Sequence, residues 1–225
     1  MKIGILGSGV VGQALGAHLA RSGHDVVLGT RSPEELERKR GLGEASLADW
    51  LREAGGGARV ATFAEAAAHG EAVINATAGT VSLAALRLAG EENLAGKVLV
   101  DVANPLDFSR GMPPSLTVCN TDSLGEQIQR AFPTARVVKA LNTVNAQVMV
   151  DPAGVGGGDH DLFVCGDDAE AKRQVTDWLG EWFGWRNVVD LGDISTARGT
   201  EMLLPFWVRL WAALGTPRFN LKVVR

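Results

Sequence analysis

A glycine-rich turn between a short strand and an amphipathic helix constrains the fold of this chain more than any other feature. Residues 7–12, GSGVVG, follow the apolar run Ile3–Leu6 and match the pattern G-x-G-x-x-G. In this pattern the first glycine permits a tight turn, the second lets a pyrophosphate approach the backbone, and the third lets the helix pack closely on the sheet. The helix N-terminus adds free N–H groups and a partial positive charge. The sequence therefore predicts a dinucleotide-binding turn.

The residues after the second predicted strand indicate which dinucleotide is preferred. NAD-specific proteins usually carry an acidic residue there for the ribose 2′-hydroxyl, whereas this chain has Thr30, Arg31 and Ser32. A guanidinium and two hydroxyls can bind a 2′-phosphate that a carboxylate would repel. The sequence thus favours NADP over NAD. The alternative is that Arg31 is a solvated surface residue and that residues 32–35, SPEE, only begin a helix.

The alternation of β-branched runs with Ala- and Leu-rich stretches predicts an α/β fold, a Rossmann doubly wound parallel sheet. We expect strands near residues 2–6, 25–29, 59–62, 72–75, 97–101 and 136–140. We expect helices near residues 10–22, 34–40, 46–54, 64–69, 82–89 and 123–131, with starts at Ser82 and Ser123.

The character of the chain changes after Asp151, which predicts two parts. Residues 1–150 would form the NADP-binding Rossmann domain, and residues 151–225 a small C-terminal α/β extension that contributes to the substrate cleft and to a dimer contact. Residues 152–159 are rich in Gly, Ala and Pro, which is typical of a flexible connection. A strand at 161–165, a helix at 168–183 and a strand at 186–190 should follow. The last helix, 197–214, is apolar around most of its girth, so we expect it to be buried, within the chain or against a second subunit.

Several classes of protein are disfavoured. The net charge of −4 offers no basic surface for nucleic acid. The chain begins directly with a strand, which leaves no room for a signal peptide, and the apolar stretch 202–214 is too short for a membrane span, so we expect a cytoplasmic protein. The two cysteines and four histidines have no metal-ligand spacing, and we predict no metal site. Asp167 and Asp168 are expected to cap the helix that begins at Ala169.

Residues that follow the strands of a parallel sheet should line the ligand cleft. Here these segments are 76–80, 103–106 and 141–145, and all carry small or neutral polar side chains. No histidine, lysine or cysteine occurs in them, so no general acid or base is evident. Hydride transfer between a nicotinamide and a flavin-like ring needs mainly the close placement of two cofactors, which suits such a cleft.

Four segments resemble the NADPH:coenzyme F420 oxidoreductase family, and the likeness extends over nearly the whole chain. They are residues 3–9, residues 29–32, residues 164–168 (VCGDD), and residues 195–198 (STAR) followed by 201–205 (EMLLP). The resemblance implies a Rossmann domain with a small C-terminal part, a homodimer, and NADP(H) in the cleft with a deazaflavin against the nicotinamide. Archaeal deazaflavin enzymes are expected to carry histidine where this chain has Asn142.

The turn motif and the resemblance together imply specific contacts. The cofactor-binding residues are predicted to be Gly7, Ser8, Gly9, Val10, Val11, Thr30, Arg31, Ser32, Thr77 and Asn104. The residues facing the second ring, and hence the substrate, are predicted to be Asn142, Thr143 and Val144. No catalytic side chain is assigned.

The leading hypothesis is an NADP(H)-dependent oxidoreductase that exchanges hydride with coenzyme F420 or with a flavin such as FMN or FAD. Two alternatives remain open at this point. One is a non-catalytic NADPH-binding redox sensor that regulates a partner. The other is a reductase of a small metabolite, which would need a larger helical C-terminal domain than the residues after Asp151 supply.

Overall fold

Six parallel strands form the central sheet. The structure, a computed structural model, describes residues 1–37 and 46–225. The strands lie in the order β3-β2-β1-β4-β5-β8, and their bounds are β1 Lys2–Leu6, β2 Asp25–Thr30, β3 Ala58–Thr62, β4 Ala72–Asn75, β5 Val98–Asp101 and β8 Arg136–Lys139. All neighbours pair in parallel. The predicted doubly wound Rossmann sheet is confirmed.

The direction of winding reverses between β1 and β4. The chain runs outward from β1 through β2 to β3, and then returns to place β4 on the other side of β1. Leu6 at the end of β1 is in register with Asn75 at the end of β4. In open α/β sheets, ligands bind outside the carboxyl ends of the strands at such a reversal. The fold therefore directs attention to the loops that follow β1 and β4.

Helices cover both faces of the sheet. Their bounds are α1 Val10–Arg21, α2 Leu47–Ala54, α3 Phe63–His69, α4 Ser82–Ala89, α5 Glu91–Leu94, α6 Leu124–Ala131, α7 Ala146–Val150, α8 Ala169–Phe183 and α9 Ala197–Leu214. Helices α1, α2, α7 and α8 share one apolar core with the sheet. Helices α3, α4, α5 and α6 share a second core on the opposite face. Each core is built from one apolar stripe of each helix, as expected for a three-layer α/β fold.

Residues beyond Asp151 add a small second sheet. Strands β9 (Asp161–Val164) and β10 (Asn187–Asp190) pair in parallel. An antiparallel bridge between Lys139 and Cys165 links β9 to the edge of the main sheet. Two single 3-10 turns, Pro152–Gly154 and Gly156–Gly158, occupy the segment that was expected to have no regular element.

Within the chain, helix α9 is buried on one side, and its other side would be covered only by the second subunit that the sequence left as an alternative. Leu204, Trp207 and Val208 pack with Phe219 in a small cluster. Phe206, Trp211 and Leu214 are 53%, 40% and 56% exposed. Pro205 lies inside the helix. Because proline has no N–H, the carbonyl of Glu201 one turn earlier lacks its helical donor.

Other differences from the predictions concern short elements. Residues 34–37 form turns and no helix, and the rest of the helix predicted at 34–40 lies outside the described residues. The sequence did not indicate α5, α7, or the two-residue antiparallel pair formed by β6 (Leu106–Asp107) and β7 (Ser115–Leu116). Among residues 1–37 and 46–225, none of the helices has the length and hydropathy that crossing a membrane requires.

Candidate functional site

The turn between β1 and α1 has the geometry that its glycines require. Gly7 has φ of +116°, and a Cβ there would lie 2.5 Å from the carbonyl oxygen of Ala76. Gly9 is the N-cap residue of α1, and a Cβ there would meet no atom within 4 Å. No acidic residue lies in the first turn of α1, and no side chain among the described residues caps it. The first N–H groups of α1 therefore have no capping side chain among the described residues and can bind an anion.

A first cavity of about 550 Å³ opens beside this turn. Its lining comes from the β1–α1 turn, the end of β2, the residues after β4 and the face of α4: Gly7, Ser8, Gly9, Thr30, Arg31, Phe63, Ala76, Thr77, Ala78, Val81, Ala84, Ala85 and Leu88. The Ser8 hydroxyl donates to Oγ1 of the buried Thr30 at 3.3 Å. Arg31 is exposed, and among the described residues of this lining it is the only charged one. An anionic group would therefore meet the guanidinium of Arg31 here.

A second cavity of about 240 Å³ continues from the first along the carboxyl edge of the sheet. Both cavities are lined by Ala76, Thr77 and Ala78. The remaining lining residues of the second cavity are Val11, Gly79, Thr80, Val102, Ala103, Asn104, Leu106 and Phe108. None of these side chains is titratable. Among the described residues, the lining of this second cavity is therefore uncharged.

The structure gathers most of the predicted cofactor-binding residues at these cavities. Those that line the first cavity are Gly7, Ser8, Gly9, Thr30, Arg31 and Thr77. Those that line the second are Val11, Thr77 and Asn104. Val10 and Ser32 lie outside both linings. Val10 is nevertheless 57% exposed at the start of α1, where its backbone N–H belongs to the open turn.

The predicted substrate-facing residues lie behind the cavity wall. Asn142, Thr143 and Val144 are 2%, 3% and 6% exposed, and Val144 belongs to the core. Asn142 and Asn104 form a reciprocal pair: Asn104 Nδ2 donates to the Asn142 carbonyl at 2.8 Å, and Asn142 Nδ2 donates to Asn104 Oδ1 at 3.0 Å. Asn142 therefore does not line the second cavity itself, but it is hydrogen-bonded to Asn104, which does.

A buried cluster of three charges lies at the ends of β5 and β8. Lys139 Nζ lies 2.7 Å from Asp101 Oδ2, 2.7 Å from Glu201 Oε1 of α9, and 2.7 Å from the Ala103 carbonyl. All three charged side chains are at most 1% exposed. Lys139 is the last residue of β8 and lies just before the segment 141–145, so it is not among the residues that were predicted to line the cleft. Its side chain points into the protein and does not line either cavity.

Two carboxylates stabilise the protonated form of Lys139. Burial alone lowers the pKa of this ammonium, but Asp101 and Glu201 outweigh that effect and raise the pKa above its usual value. Glu201 also accepts hydrogen bonds from the N–H groups of Leu124 at 2.8 Å and Gly125 at 3.0 Å, at the N-terminus of α6. The cluster thus binds α9, α6 and two strands of the sheet together.

These three residues carried a signal that could have located them. Asp101 and Lys139 each end a run of buried valines and leucines, and Glu201 lies in an apolar helix. A charged residue in a fully apolar element is almost never buried without a partner. One cation and two anions in such positions were candidates for a common cluster.

The cysteines are chemically unlike each other. Cys119 is exposed and Cys165 is buried. Burial raises the pKa of the Cys165 thiol to about 11.

Within residues 1–37 and 46–225, no group of three or more His, Cys, Asp or Glu is arranged to hold a metal ion.

A phosphate-binding turn at the sheet reversal, followed by a neutral cavity along the strand ends, defines a dinucleotide-dependent oxidoreductase of the Rossmann class. Comparison with known proteins gives the family. Residues 2–105 match the family model described as NADP oxidoreductase, coenzyme F420-dependent. The F420-dependent NADP reductase of Methanocaldococcus jannaschii is 30% identical over 93% of this chain and 92% of that protein. The chain belongs to the F420-dependent NADP oxidoreductase family, and it is an NADP-dependent oxidoreductase.

Two further relatives are similar along the chain. A solved structure from Arthrobacter sp. FB24, to which F420-dependent NADP-reductase activity has been ascribed, is 56% identical with a TM-score of 0.95, and the match covers 100% of both chains. The rat metalloreductase STEAP3 is 33% identical over 92% of this chain. This chain spans 38% of the length of that metalloreductase.

Proposed function

We propose that this protein transfers hydride between NADP(H) and a planar deazaflavin acceptor, coenzyme F420. A flavin, FMN or FAD, is the second candidate acceptor. The observation that carries the proposal is the second cavity, because none of the side chains lining it is titratable. A site with no acid or base suits a pair of rings that carry their own redox chemistry.

NADP(H) is proposed to span the two connected cavities. Its pyrophosphate would lie on the open N-terminus of α1, near residues 8–11, where Gly9 leaves space. Its 2′-phosphate would lie beside Arg31, with the hydroxyls of Thr30 and Ser32 close by in sequence. The length of the dinucleotide then carries the nicotinamide past Thr77 into the second cavity. When bound, NADP(H) supplies or accepts the hydride.

The walls of the second cavity would hold a ring and exclude water. Val11, Val102, Leu106 and Phe108 present apolar surface, while Thr77, Thr80 and Asn104 supply the polar groups. Phe108 is 56% exposed on the β6–β7 hairpin, so an aromatic face is available to an incoming ring. Asn142 is proposed to act through its pair with Asn104, which fixes the Asn104 amide at the cavity.

The names of the relatives support this acceptor without deciding it. A protein called an F420-dependent NADP reductase matches almost end to end, whereas the match to a metalloreductase covers a minor part of that protein. A flavin acceptor is therefore retained as the alternative. A non-catalytic NADPH sensor is a third candidate function, because the described residues that line the second cavity include no titratable side chain.

The test is a direct assay of the purified protein with NADPH and F420, FMN or FAD in turn, followed by the nicotinamide absorbance. Turnover with F420 supports the proposal, and turnover with FMN or FAD alone moves the assignment to a flavin reductase. Tight NADPH binding without turnover on any of the three acceptors rejects the enzymatic proposal in favour of the sensor. Arg31→Ala should slow the NADPH reaction, whereas Arg173→Ala, an exposed arginine on α8, is the matched control.

The division of the chain at residue 150 and the homodimer are also proposals. The exposed side chains of α9 lie beside a groove of about 350 Å³ formed with Met112 and Pro113. A second copy of the chain is the proposed cover, because exposed aromatic side chains on a helix are a frequent feature of subunit contacts. Light scattering should give a dimer, and Trp211→Glu should give a monomer.

A further inference from the structure

Three side chains next to both cavities form a closed ring of hydrogen bonds. Asn75 Nδ2 lies 3.2 Å from Ser82 Oγ, Ser82 Oγ lies 2.7 Å from Thr77 Oγ1, and Thr77 Oγ1 lies 2.7 Å from Asn75 Oδ1. Asn75 and Ser82 are fully buried, whereas Thr77 is partly exposed to the cavities. The ring therefore presents a single oxygen, Thr77 Oγ1, to a ligand.

The orientation of the Asn75 amide is fixed by its neighbours. Nδ2 donates to the carboxylate of Asp101 at 2.8 Å, and Oδ1 accepts from the backbone N–H of Thr77 at 3.3 Å. Rotating the amide by a half-turn would place its oxygen against the carboxylate and its NH₂ group against the Thr77 N–H. Both contacts would become repulsive, so only one orientation is stable.

Asp101 orients the Asn75 amide, and an ion pair and two hydrogen bonds fix the Asp101 carboxylate in turn. The Lys139 ammonium lies 2.7 Å from Asp101 Oδ2, and Glu201 shares that ammonium. Asp101 Oδ1 accepts from Asn75 and from the Ala103 N–H at 3.2 Å. In a site with no exposure to water, this carboxylate must remain an acceptor for Asn75.

The direction of every hydrogen bond in the ring follows from the Asn75 orientation. Since Oδ1 can only accept, the Thr77 hydroxyl hydrogen points to Asn75. Since Nδ2 donates to Ser82, the Ser82 hydrogen is free to point to Thr77 at 2.7 Å, a much better contact than the Ala78 carbonyl at 3.4 Å. Thr77 Oγ1 then has no hydrogen left for a ligand and one lone pair to offer.

We propose that Thr77 is a specificity-determining residue that can only accept a hydrogen bond from the bound cofactor, and that it selects the N–H of the nicotinamide carboxamide. Asn75 is the positioning residue, and the Lys139–Asp101–Glu201 cluster holds Asn75. Selecting the amide nitrogen sets which way the carboxamide faces and therefore helps to fix the ring. This inference rests on the proposed placement of NADP(H) across the two cavities.

The test compares NADP⁺ with its 3-acetylpyridine analogue, in which a methyl ketone replaces the carboxamide. The analogue keeps the carbonyl and lacks the N–H donor. The wild-type protein should bind NADP⁺ about five- to tenfold more tightly, the effect of one neutral hydrogen bond. Thr77→Val should bring the ratio of the two dissociation constants close to one, and Thr77→Ser should restore it. Asn75→Ala should also lower the ratio, because a released Thr77 hydroxyl can donate to the ketone.

Two controls separate this inference from the fold and from the proposed function. Thr134→Val makes the same change at an exposed residue outside both cavities and should leave the ratio unaltered. Adenosine 2′,5′-bisphosphate lacks the nicotinamide, so every variant that keeps its fold should bind it as the wild type does. An unchanged ratio in Thr77→Val, or a wild-type ratio near one, overturns the inference. Failure of the wild type to bind NADP⁺ and the bisphosphate overturns the proposed function, whereas an intact ratio without F420 turnover overturns the acceptor alone.

Discussion

Gly12 lies directly against Gly7: a Cβ at position 12 would sit 1.9 Å from the carbonyl oxygen of Gly7. The start of α1 is therefore packed onto the preceding turn with no room for a side chain. Gly9, between them, has open space where its Cβ would be. The glycines of one short motif thus have separable purposes, one for packing and one for ligand access.

The first prediction compares Gly9→Ala with Gly12→Ala. Gly9 has φ of −79°, which alanine adopts freely, so Gly9→Ala should leave the melting temperature nearly unchanged and weaken NADP⁺ binding roughly tenfold or more, as if about 1.4 kcal/mol were lost. Gly12→Ala should lower the melting temperature substantially, because the new methyl group collides with backbone. Differential scanning fluorimetry and cofactor titration give both quantities. A stable Gly12→Ala protein, or full NADP⁺ affinity in Gly9→Ala, would contradict the argument.

The second prediction concerns the choice of dinucleotide. Arg31→Ala should weaken NADPH binding by about ten- to a hundredfold, the loss of a hydrogen bond to a charged group, and leave NADH binding nearly unchanged. Fluorescence titration of both cofactors measures this. The control is Arg173→Ala on α8, which should affect neither cofactor. Equal losses for NADPH and NADH would refute the role of Arg31 at the 2′-phosphate.

The third prediction concerns the buried charge cluster. Lys139→Met keeps the length of the side chain and leaves Asp101 and Glu201 buried without a cation, so it should reduce the free energy of unfolding by about 3–5 kcal/mol. Urea denaturation measures the loss. Lys222→Met removes the cation of the exposed Lys222–Asp159 pair and should change the denaturation midpoint little. A similarly small change in Lys139→Met would show that the cluster contributes no more than a surface pair.

The fourth prediction concerns thiol reactivity. Because the Cys165 pKa is about 11, this thiol is protonated at neutral and mildly alkaline pH, and it is also inaccessible. A disulfide reagent at pH 8 should therefore modify one thiol per native chain, at Cys119, and two after unfolding. Cys119→Ser should abolish labelling of the native protein. Rapid labelling of both thiols in the folded wild type is the contrary result.

The main sheet was predictable because its elements are long enough to show a period. Each predicted strand from residues 2–6 to 136–140 corresponds to a strand of the structure within about two residues, and α1, α8 and α9 are found where their apolar spacing places them. The pair β6 and β7 has two residues per strand, which is too short for any alternation to appear.

The predictions for the site were limited by what a strand pattern can convey. The segments after each strand identified Thr77 and Asn104 at the cavity, because that inference needs only the direction of the strands. The burial of Asn142 depends on how its loop packs. Its neighbour Leu141 has a positive φ of 62°, which the local sequence does not predict. The contact of Lys139 with Glu201 joins two elements far apart in sequence, so the sequence marks each charge as a candidate for a buried pair and only the fold shows that these residues meet.

Pro205 divides the last helix into two segments that differ in their contacts. The residues before it hold Glu201 in place, while those after it expose much of their surface to solvent. Because proline removes one backbone hydrogen bond between the two segments, we expect substitutions after Pro205 to disturb the charge cluster less than substitutions before it. Replacing residues after Pro205 with those of the corresponding helix in a relative would therefore change the proposed dimer contact without changing any residue that lines the two cavities.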